Sequence, residues 1–235
     1  MFLKDFFADL VTDPKFKGFV TTDDMILAVD ISPEQNADID NYAVACMGGG
    51  TDRSSSLNPE EKTNSYYYKG KSTLKTGNQR TIDFSEDRYI GDDFQDFALS
   101  HEKKYATGQK AIVNYAYFNA LTGEGEKGKG SLIISDDGSG APEENLSVSG
   151  SIKKSGANPA KFTYQGFGGY ALTTQAPTDW STKYTSYFTR SNGAFVAVTA
   201  AEGGSAPEWE KDKYYSKAAS DSGSATQADI DAQTD

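Results

Sequence analysis

The stretch Leu146-Ser-Val-Ser-Gly-Ser-Ile-Lys153 decides the fold class, because its side chains alternate strictly in character. Leu146, Val148, Gly150 and Ile152 fall on one side of an extended chain, and three serines and Lys153 fall on the other. A two-residue period of this kind predicts a β-strand with one face on a core and one polar face. Strand-like patterns also occur at 25–31, 42–47, 81–85, 111–118, 131–135 and 161–164.

The composition favours a mainly β chain with an acidic surface. Of the 235 residues, 37% are hydrophobic and 12% are aromatic. This balance suits half-exposed strands better than a thick core that is covered on both sides. The 34 acidic residues outnumber the 23 basic ones, so the net charge is −11. A protein that binds nucleic acid needs a basic surface to neutralise the phosphates. The negative net charge instead indicates a surface that DNA can pass without binding specifically.

Two helices are predicted. The first lies in an N-terminal arm, residues 1–20, whose apolar residues recur at helical spacing up to Asp13-Pro14. So short a helix must dock, either on its own domain or on a neighbouring subunit. The second helix is predicted from about 92 to 106, with Asp92 as its N-cap and Gly108 after its end. Its apolar face, which we expect to cover a sheet, carries Phe94, Phe97, Ala98, His101 and Tyr105.

Strands followed by one helix and further strands predict a mainly β (α+β) domain, a β-sandwich with a flanking helix, over residues 21–167. Within it, the polar, glycine-rich segment 48–77 is predicted to be a long loop with a function of its own. Residues 168–217 are crowded with aromatic side chains and are predicted to form a small β-rich appendage. The last segment, 218–235, is almost devoid of apolar residues and is predicted to be a flexible tail.

No pattern indicates an enzyme or a cofactor. His101 is the only histidine and has no nucleophile motif beside it, and Cys46 is the only cysteine, which excludes an internal disulfide. Gly48-Gly49-Gly50 lacks the Gly-Lys-Ser/Thr ending of a phosphate loop. The acidic loop 136–140 lacks the spacing of a calcium loop. We expect no catalysis, no cofactor and no metal, and no membrane partner because no apolar run approaches the roughly 18 residues of a membrane helix.

Several collinear segments between about 21 and 164 resemble the major tail proteins of siphophages that infect Gram-positive bacteria. They are Gly49-Gly-Thr-Asp-Arg-Ser-Ser-Ser-Leu-Asn-Pro-Glu60, Tyr89-Ile-Gly-Asp-Asp-Phe-Gln-Asp-Phe-Ala-Leu-Ser100 and Tyr117-Phe-Asn-Ala-Leu-Thr-Gly-Glu-Gly-Glu-Lys127. The stretch from Asp136-Asp-Gly-Ser-Gly140 to Lys153-Lys-Ser-Gly-Ala157 resembles the same family. The resemblance depends on the number and order of these segments, since none of them is catalytic.

The resemblance implies the tail tube fold, a β-sandwich or barrel with one flanking helix. It implies homo-hexameric rings that stack into a tube, and a lumen that conducts viral DNA during ejection. The implied partners are further copies of the chain, the tape measure protein, and the tail terminator and distal tail proteins. The implied location is the virion, in the phage tail, after assembly in the cytoplasm of the host bacterium.

The same resemblance implies roles for individual residues. The long connection would reach the adjacent ring, through Thr51, Asp52, Arg53, Leu57, Asn58, Tyr66, Tyr67 and Tyr68. A polar strand face suits a wet channel and carboxylates repel DNA, so the lumen candidates are Asp38, Asp40, Ser147, Ser149 and Ser151. In the appendage, Trp180, Tyr184 and Trp209 either stack on host-surface sugars or form a miniature hydrophobic core.

An alternative interpretation is an extracellular β-sandwich module that binds carbohydrate. Such a module needs an export signal, and the apolar start of the sequence carries Asp5 and Asp9 and is too short for one. The sequence therefore favours the tube subunit.

Overall fold

The computed structural model describes residues 1–168 and 170–217, and it confirms the mainly β fold class. The chain divides into two compact units. The first contains Met1–Gly166 together with Asn192–Ala194, and the second begins at Phe167 and contains the other described residues. The predicted tail, 218–235, lies outside the described residues.

The first unit contains most of the strands. They are β1 (Met25–Val29), β2 (Ala43–Val44), β3 (Gly50–Ser56), β4 (Pro59–Tyr66), β5 (Gly70–Asn78), β6 (Thr81–Asp87), β7 (Ile112–Asn119), β8 (Glu124–Ser139), β9 (Ser147–Lys154) and β10 (Ala160–Thr163). Its helices are α1 (Leu3–Phe6), α2 (Asp93–Ala98) and α3 (His101–Lys104), with 3-10 turns at Ile39–Asn41 and Gly108–Ala111.

One antiparallel sheet organises this unit, in the order β2-β1-β7-β8-β9-β6-β3, with β10 beside β8. The long strand β8 joins two halves, because residues 125–131 pair with β7 and residues 130–139 pair with β9. Leu27 and Val113 of the first half share one core with Ile82 and Ile152 of the second. The sheet is therefore curled, so that its two halves face each other across this core.

The predicted helix from 92 to 106 is two short helices. Asp92 caps α2 as predicted, accepting a hydrogen bond from the backbone N–H of Gln95 at 2.9 Å. The break comes at Ser100, whose hydroxyl donates to the carbonyl of Phe97 at 2.8 Å and accepts from the N–H of Lys103 at 3.3 Å. A serine that bonds the backbone in this way ends one helix and caps the next. Phe94 still covers the sheet, with its ring 5.2 Å from that of Phe84.

The N-terminal arm docks on its own domain. Its helix, α1, has only four residues, but Leu3 and Phe7 are completely buried. The Phe7 ring lies 5.7 Å from that of Phe118 and 5.2 Å from that of Tyr164. Ahead of the helix, Phe2 forms a β-bridge with Ala43, so the arm also covers the edge of the sheet at β2.

Replacing Phe7 tests this docking. We expect Phe7→Ala to lower the free energy of unfolding by about 3–5 kcal/mol, since a buried aromatic ring is lost and a cavity remains. The matched control is Phe6→Ala, because the neighbouring Phe6 ring is exposed and its loss should cost less than about 1 kcal/mol. Urea denaturation of both variants measures the free energy of unfolding, and equal losses of this free energy would contradict the docking of the N-terminal arm.

The second unit has its own small sheet and core. Its strands β11 (Tyr170–Leu172), β12 (Tyr187–Ser191), β13 (Ala194–Ala197) and β14 (Tyr214–Lys217) run in the order β11-β14-β12-β13. A short helix, α4 (Trp180–Lys183), and a 3-10 turn at Tyr184–Ser186 precede β12. Trp180, Val198 and Tyr214 form the buried core, with Tyr184 and Trp209 packed against it.

The burial of Trp180 corrects its prediction as a host-surface contact. Its side chain is only 8% exposed, and its indole N–H donates to the carbonyl of Pro207 at 2.7 Å. An aromatic ring that is enclosed in this way cannot stack on a sugar. The miniature hydrophobic core is the better account of this tryptophan.

Candidate assembly surface

The strand that decided the fold class contributes to a largely polar face, which also contains the exposed Ile133 of β8 opposite Ser151. In the pairing of β6 with β9, residues directly opposite each other are Asp83 and Ser151, Ser85 and Ser149, and Asp87 and Ser147. Opposite residues in an antiparallel pair point to the same side of the sheet. The serine side of β9 and the aspartate-serine side of β6 therefore form one surface.

The flanking strands extend this surface on both sides. On β3, Ser54 lies opposite Asp83 and Asp52 lies opposite Ser85. On β8, Asp136 lies opposite Ser149, after a register shift that follows Ile134. We call this surface the polar face, and the four strands β3, β6, β9 and residues 130–139 of β8 the polar half-sheet.

The polar face is acidic. It carries carboxylates at Asp52, Asp83, Asp87 and Asp136. A hydrogen bond from the backbone N–H of Gly138, at 3.0 Å, lowers the pKa of Asp136. The lysine nearest in register is Lys153, which lies opposite Thr81 at the end of the half-sheet. Phosphate groups would be repelled along most of this face.

The structure sorts the predicted lumen residues. It brings Ser147, Ser149 and Ser151 together on the polar face, although Ser151 is itself buried. Asp38 and Asp40 lie elsewhere, at the 3-10 turn between β1 and β2. The prediction for Asp40 is wrong, because its carboxylate is buried and accepts a hydrogen bond from the Tyr164 hydroxyl at 2.9 Å. Asp38 is exposed but caps that turn, accepting from the N–H of Asp40 at 3.0 Å.

Sequence reasoning missed the carboxylates of the polar face. The signal was present in the run Thr81-Ile-Asp-Phe-Ser-Glu-Asp87, where polar residues alternate with Ile82 and Phe84. By itself, this alternation predicts only a strand. The neighbour of this strand in the sheet cannot be read from the local pattern, because the pairing joins residues about 70 positions apart, such as Asp83 and Ser151.

The polar half-sheet has two open edges. At one edge, β3 pairs with β6 on a single side. At the other, residues 132–139 of β8 pair with β9 alone, since β7 ends its pairing at Ser131. Within the described part of the chain, no other strand satisfies the free sides of these two segments. Unpaired backbone donors and acceptors of this kind are a template for another strand.

The predicted loop 48–77 is wrong as a loop. Thr51, Asp52 and Arg53 belong to β3, within the sheet, and residues 59–78 form a two-stranded hairpin of β4 and β5. We call residues 59–78 the arm. The hydroxyls of Thr63 and Thr73 lie 3.0 Å apart across it, in a registered pair. These strands leave no periodic signal in the sequence, because both faces of the arm are exposed and no apolar residues alternate along it.

The base of the arm is anchored and its tip is exposed. The Asn58 amide donates to the carbonyl of Gln79 at 3.0 Å and to the hydroxyl of Thr81 at 3.2 Å, which joins the two ends of the arm. At the tip, Tyr67 and Tyr68 are 94% and 105% exposed. Tyr66 and Leu57 are also exposed. These candidate contact residues therefore stand clear of the first unit's own core.

Among the residues that the structure describes, the titratable side chains form no catalytic constellation. Burial raises the pKa of the Cys46 thiol far above its usual value, so the reactive thiolate does not form at neutral pH. The exposed His101 packs edge-on against Tyr105, with ring centres 5.0 Å apart. Across residues 1–168 and 170–217, no group of three or more His, Cys, Asp or Glu could hold a metal ion. None of the helices described is long and apolar enough to cross a membrane.

Comparison with known proteins gives structural similarities at low sequence identity. A protein in the tail of an empty gene transfer agent (GTA) particle, refined with C6 symmetry, aligns with a TM-score of 0.41 and 15% identity, covering 61% of this chain and 98% of that chain. A protein of the native GTA virion aligns with a TM-score of 0.39 and 13% identity, covering 58% and 95%. A protein of the phage p2 baseplate, in its activated conformation with Sr, aligns with a TM-score of 0.28 and 12% identity, covering 84% and 61%. No protein-family model and no curated protein matches the chain.

Proposed function

We propose that this chain is a structural, non-enzymatic subunit of a phage tail tube, which assembles with identical copies into rings around a channel for DNA. The observation that carries the proposal is the acidic half-sheet with an open edge on each side. A lone subunit leaves these edges unpaired, and a ring of copies pairs all of them.

The strand directions are compatible with such a ring. Each strand of the polar half-sheet is antiparallel to its neighbour, so β3 runs opposite to β8. When β3 of one copy lies beside residues 132–139 of the next, the new pair is antiparallel as well. The contact joins two different edges, and a heterologous contact of this kind closes into a ring when the rotation between copies permits. Closure removes the open edges altogether.

The charge of the polar face fits the wall of such a channel. In the closed barrel this face points inward, because the opposite face of the half-sheet holds Ile82, Phe84 and Ile152 in the subunit's own core. DNA inside would meet uncharged hydroxyls and carboxylates, and the carboxylates repel phosphate groups. Double-stranded DNA would then pass without specific contacts.

The arm suits contact between rings. It projects from the sheet between β3 and β6, and its exposed tyrosines lack any partner surface in the first unit. An isolated two-stranded hairpin is marginally stable in water, so packing against a neighbour would stabilise it. In this role the chain forms rings of six subunits in the virion. The tape measure protein would lie inside the tube, and the terminator and distal tail proteins would lie at its ends.

Electron microscopy tests this function. The purified full chain, concentrated and viewed in negative stain, should form rings or tubes with a central channel. The competing carbohydrate-binding module should stay monomeric and bind cell-wall glycans in a pull-down. Monodisperse monomers at every concentration, with glycan binding, would overturn the tube proposal.

A further inference from the structure

The arm is the basic part of an acidic protein. Residues 59–78 contain four lysines and two acidic residues, Glu60 and Glu61, so the arm has a net charge of 4 − 2 = +2, whereas the whole chain has a net charge of −11. These lysines are Lys62, Lys69, Lys71 and Lys75, and all four are exposed. A positive segment of this kind attracts an acidic partner, and the rest of this same chain is strongly acidic.

One face of the arm also carries two large, exposed side chains that could pack on a partner. In the register of β4 and β5, Lys62 lies opposite Leu74, and Tyr66 lies opposite Gly70 on the same side of the hairpin. Leu74 is 66% exposed and Tyr66 is 53% exposed. The other side carries Thr63 and Thr73 together with Lys71 and Lys75. The arm therefore presents a leucine and a tyrosine beside Lys62 on one side, and two further lysines on the other.

A complementary surface lies at the opposite end of the polar half-sheet. Two loops meet there, because the N–H of Arg88 donates to the carbonyl of Leu146 at 2.7 Å, and the Asn145 amide donates to the Asp87 carboxylate at 2.8 Å. Three exposed apolar side chains project from these loops, at Tyr89, Ile90 and Leu146. Exposed apolar side chains that cluster in this way are typical of an interaction site.

Carboxylates lie close in sequence to Leu146, one of these apolar residues. Glu143 and Glu144 are exposed on the loop before Leu146, and Asp137 lies on the strand that leads into it. The Nζ atom of Lys104 lies 2.6 Å from Oδ2 of Asp137, and this ion pair lowers the pKa of the Asp137 carboxyl group. We call residues 87–91 and 136–146 the acidic end.

Strand β6 separates the arm from the acidic end. The arm joins β6 just before Thr81, and the acidic end begins at Asp87, its last residue. The two surfaces therefore lie at opposite ends of one strand of the first unit. A copy that is displaced along the direction of β6 would bring its arm towards the acidic end of the next copy.

We propose that the arm of one copy docks on the acidic end of a second copy, with Tyr66 and Leu74 against Tyr89, Ile90 and Leu146, and the arm lysines against Asp137, Glu143 and Glu144. This inference rests on the proposed function, and it names the surface that receives the arm. It describes a head-to-tail contact, which leaves one arm and one acidic end free for the next copy, so stacking continues without limit.

Charge reversal tests this docking in the full-length protein. The first variant carries K62E/K69E/K71E/K75E, the second carries D137K/E143K/E144K, and the third combines both sets. Each single set should leave rings but raise the protein concentration needed for tubes by about tenfold or more. The combined variant should recover tubes, since each contact again joins opposite charges. The control K15E/K17E/K110E/K129E changes the net charge as much as the first variant, at exposed lysines outside residues 59–78, and should form normal tubes.

The outcomes separate this inference from the proposed function. Wild-type tubes together with normal tubes from the first variant would overturn the docking and leave the tube function in place. Loss of tubes in both single variants without recovery in the combined one would overturn the pairing of these two surfaces. A wild-type chain that forms no rings would overturn both proposals. Binding of a fluorescent DNA duplex that is lost in the first variant, with its tubes intact, would assign the arm to nucleic acid instead.

Discussion

Deleting the arm should give folded subunits that form rings but no tubes. The structure places the cut sites, since the N–H of Gln79 donates to the carbonyl of Asn58 at 3.2 Å. Joining Asn58 directly to Gln79 removes residues 59–78 and leaves a short connection between Ser56 and Thr81, which are already opposite each other in the sheet. Neighbouring antiparallel strands accept such short loops without strain. We therefore expect the free energy of unfolding to change by less than about 1 kcal/mol.

The effect on assembly should be large, because the arm holds exposed tyrosines that lie outside the core of the first unit. Sedimentation and negative-stain microscopy at matched concentrations separate rings from tubes. The matched control is Thr63→Ser with Thr73→Ser, which keeps both hydroxyls of the arm and should form normal tubes. Tubes of normal length from the deletion variant would contradict the role of the arm.

Reversing the charge of the polar face should make the tube retain DNA. Asp52 and Asp83 are exposed and lie on adjacent strands of this face. In the double variant D52K/D83K, every copy in the ring would present lysines to the channel. We expect assembled tubes to bind duplex DNA at least about tenfold more tightly than wild-type tubes at low salt, with binding lost as the salt concentration rises.

Fluorescence anisotropy and nuclease protection measure this binding. The control D5K/D9K makes the same change in net charge at two exposed carboxylates of the N-terminal arm, away from the polar face. This control should bind DNA weakly, and whatever DNA it binds should remain sensitive to nuclease. Equal binding and equal protection in the two variants would show that the polar face does not line the channel.

The sequence predicts those parts of the fold that leave a local pattern, such as apolar residues at a fixed spacing or a capping residue before a helix. Strand β9 alternates between the core and the polar face, and Asp92 caps α2, as the local pattern indicates. The partner of Asp40 could not be predicted, because Tyr164 lies 124 residues away in the sequence. Other acidic residues lie near Asp40 in the sequence, so the sequence predicts that it is exposed. Only the folded structure shows that its carboxylate is buried and hydrogen-bonded.

The arm was missed for a different physical reason. Sequence periodicity reports burial on one face, and the arm buries neither face in the first unit. Its strands are held by backbone pairing and by polar contacts such as that between Thr63 and Thr73. The break at Ser100 is a similar case, since one hydroxyl that bonds the backbone overrides the helical spacing of the apolar residues around it.

A cryo-electron microscopy reconstruction of the assembled full-length protein tests the central claim most directly. We predict a closed ring in which β3 of each copy pairs with residues 132–139 of β8 in the next, with Asp83 and Ser149 facing the channel. A reconstruction in which these two strands stay unpaired between copies, or in which the polar face points away from a central channel, would contradict the account.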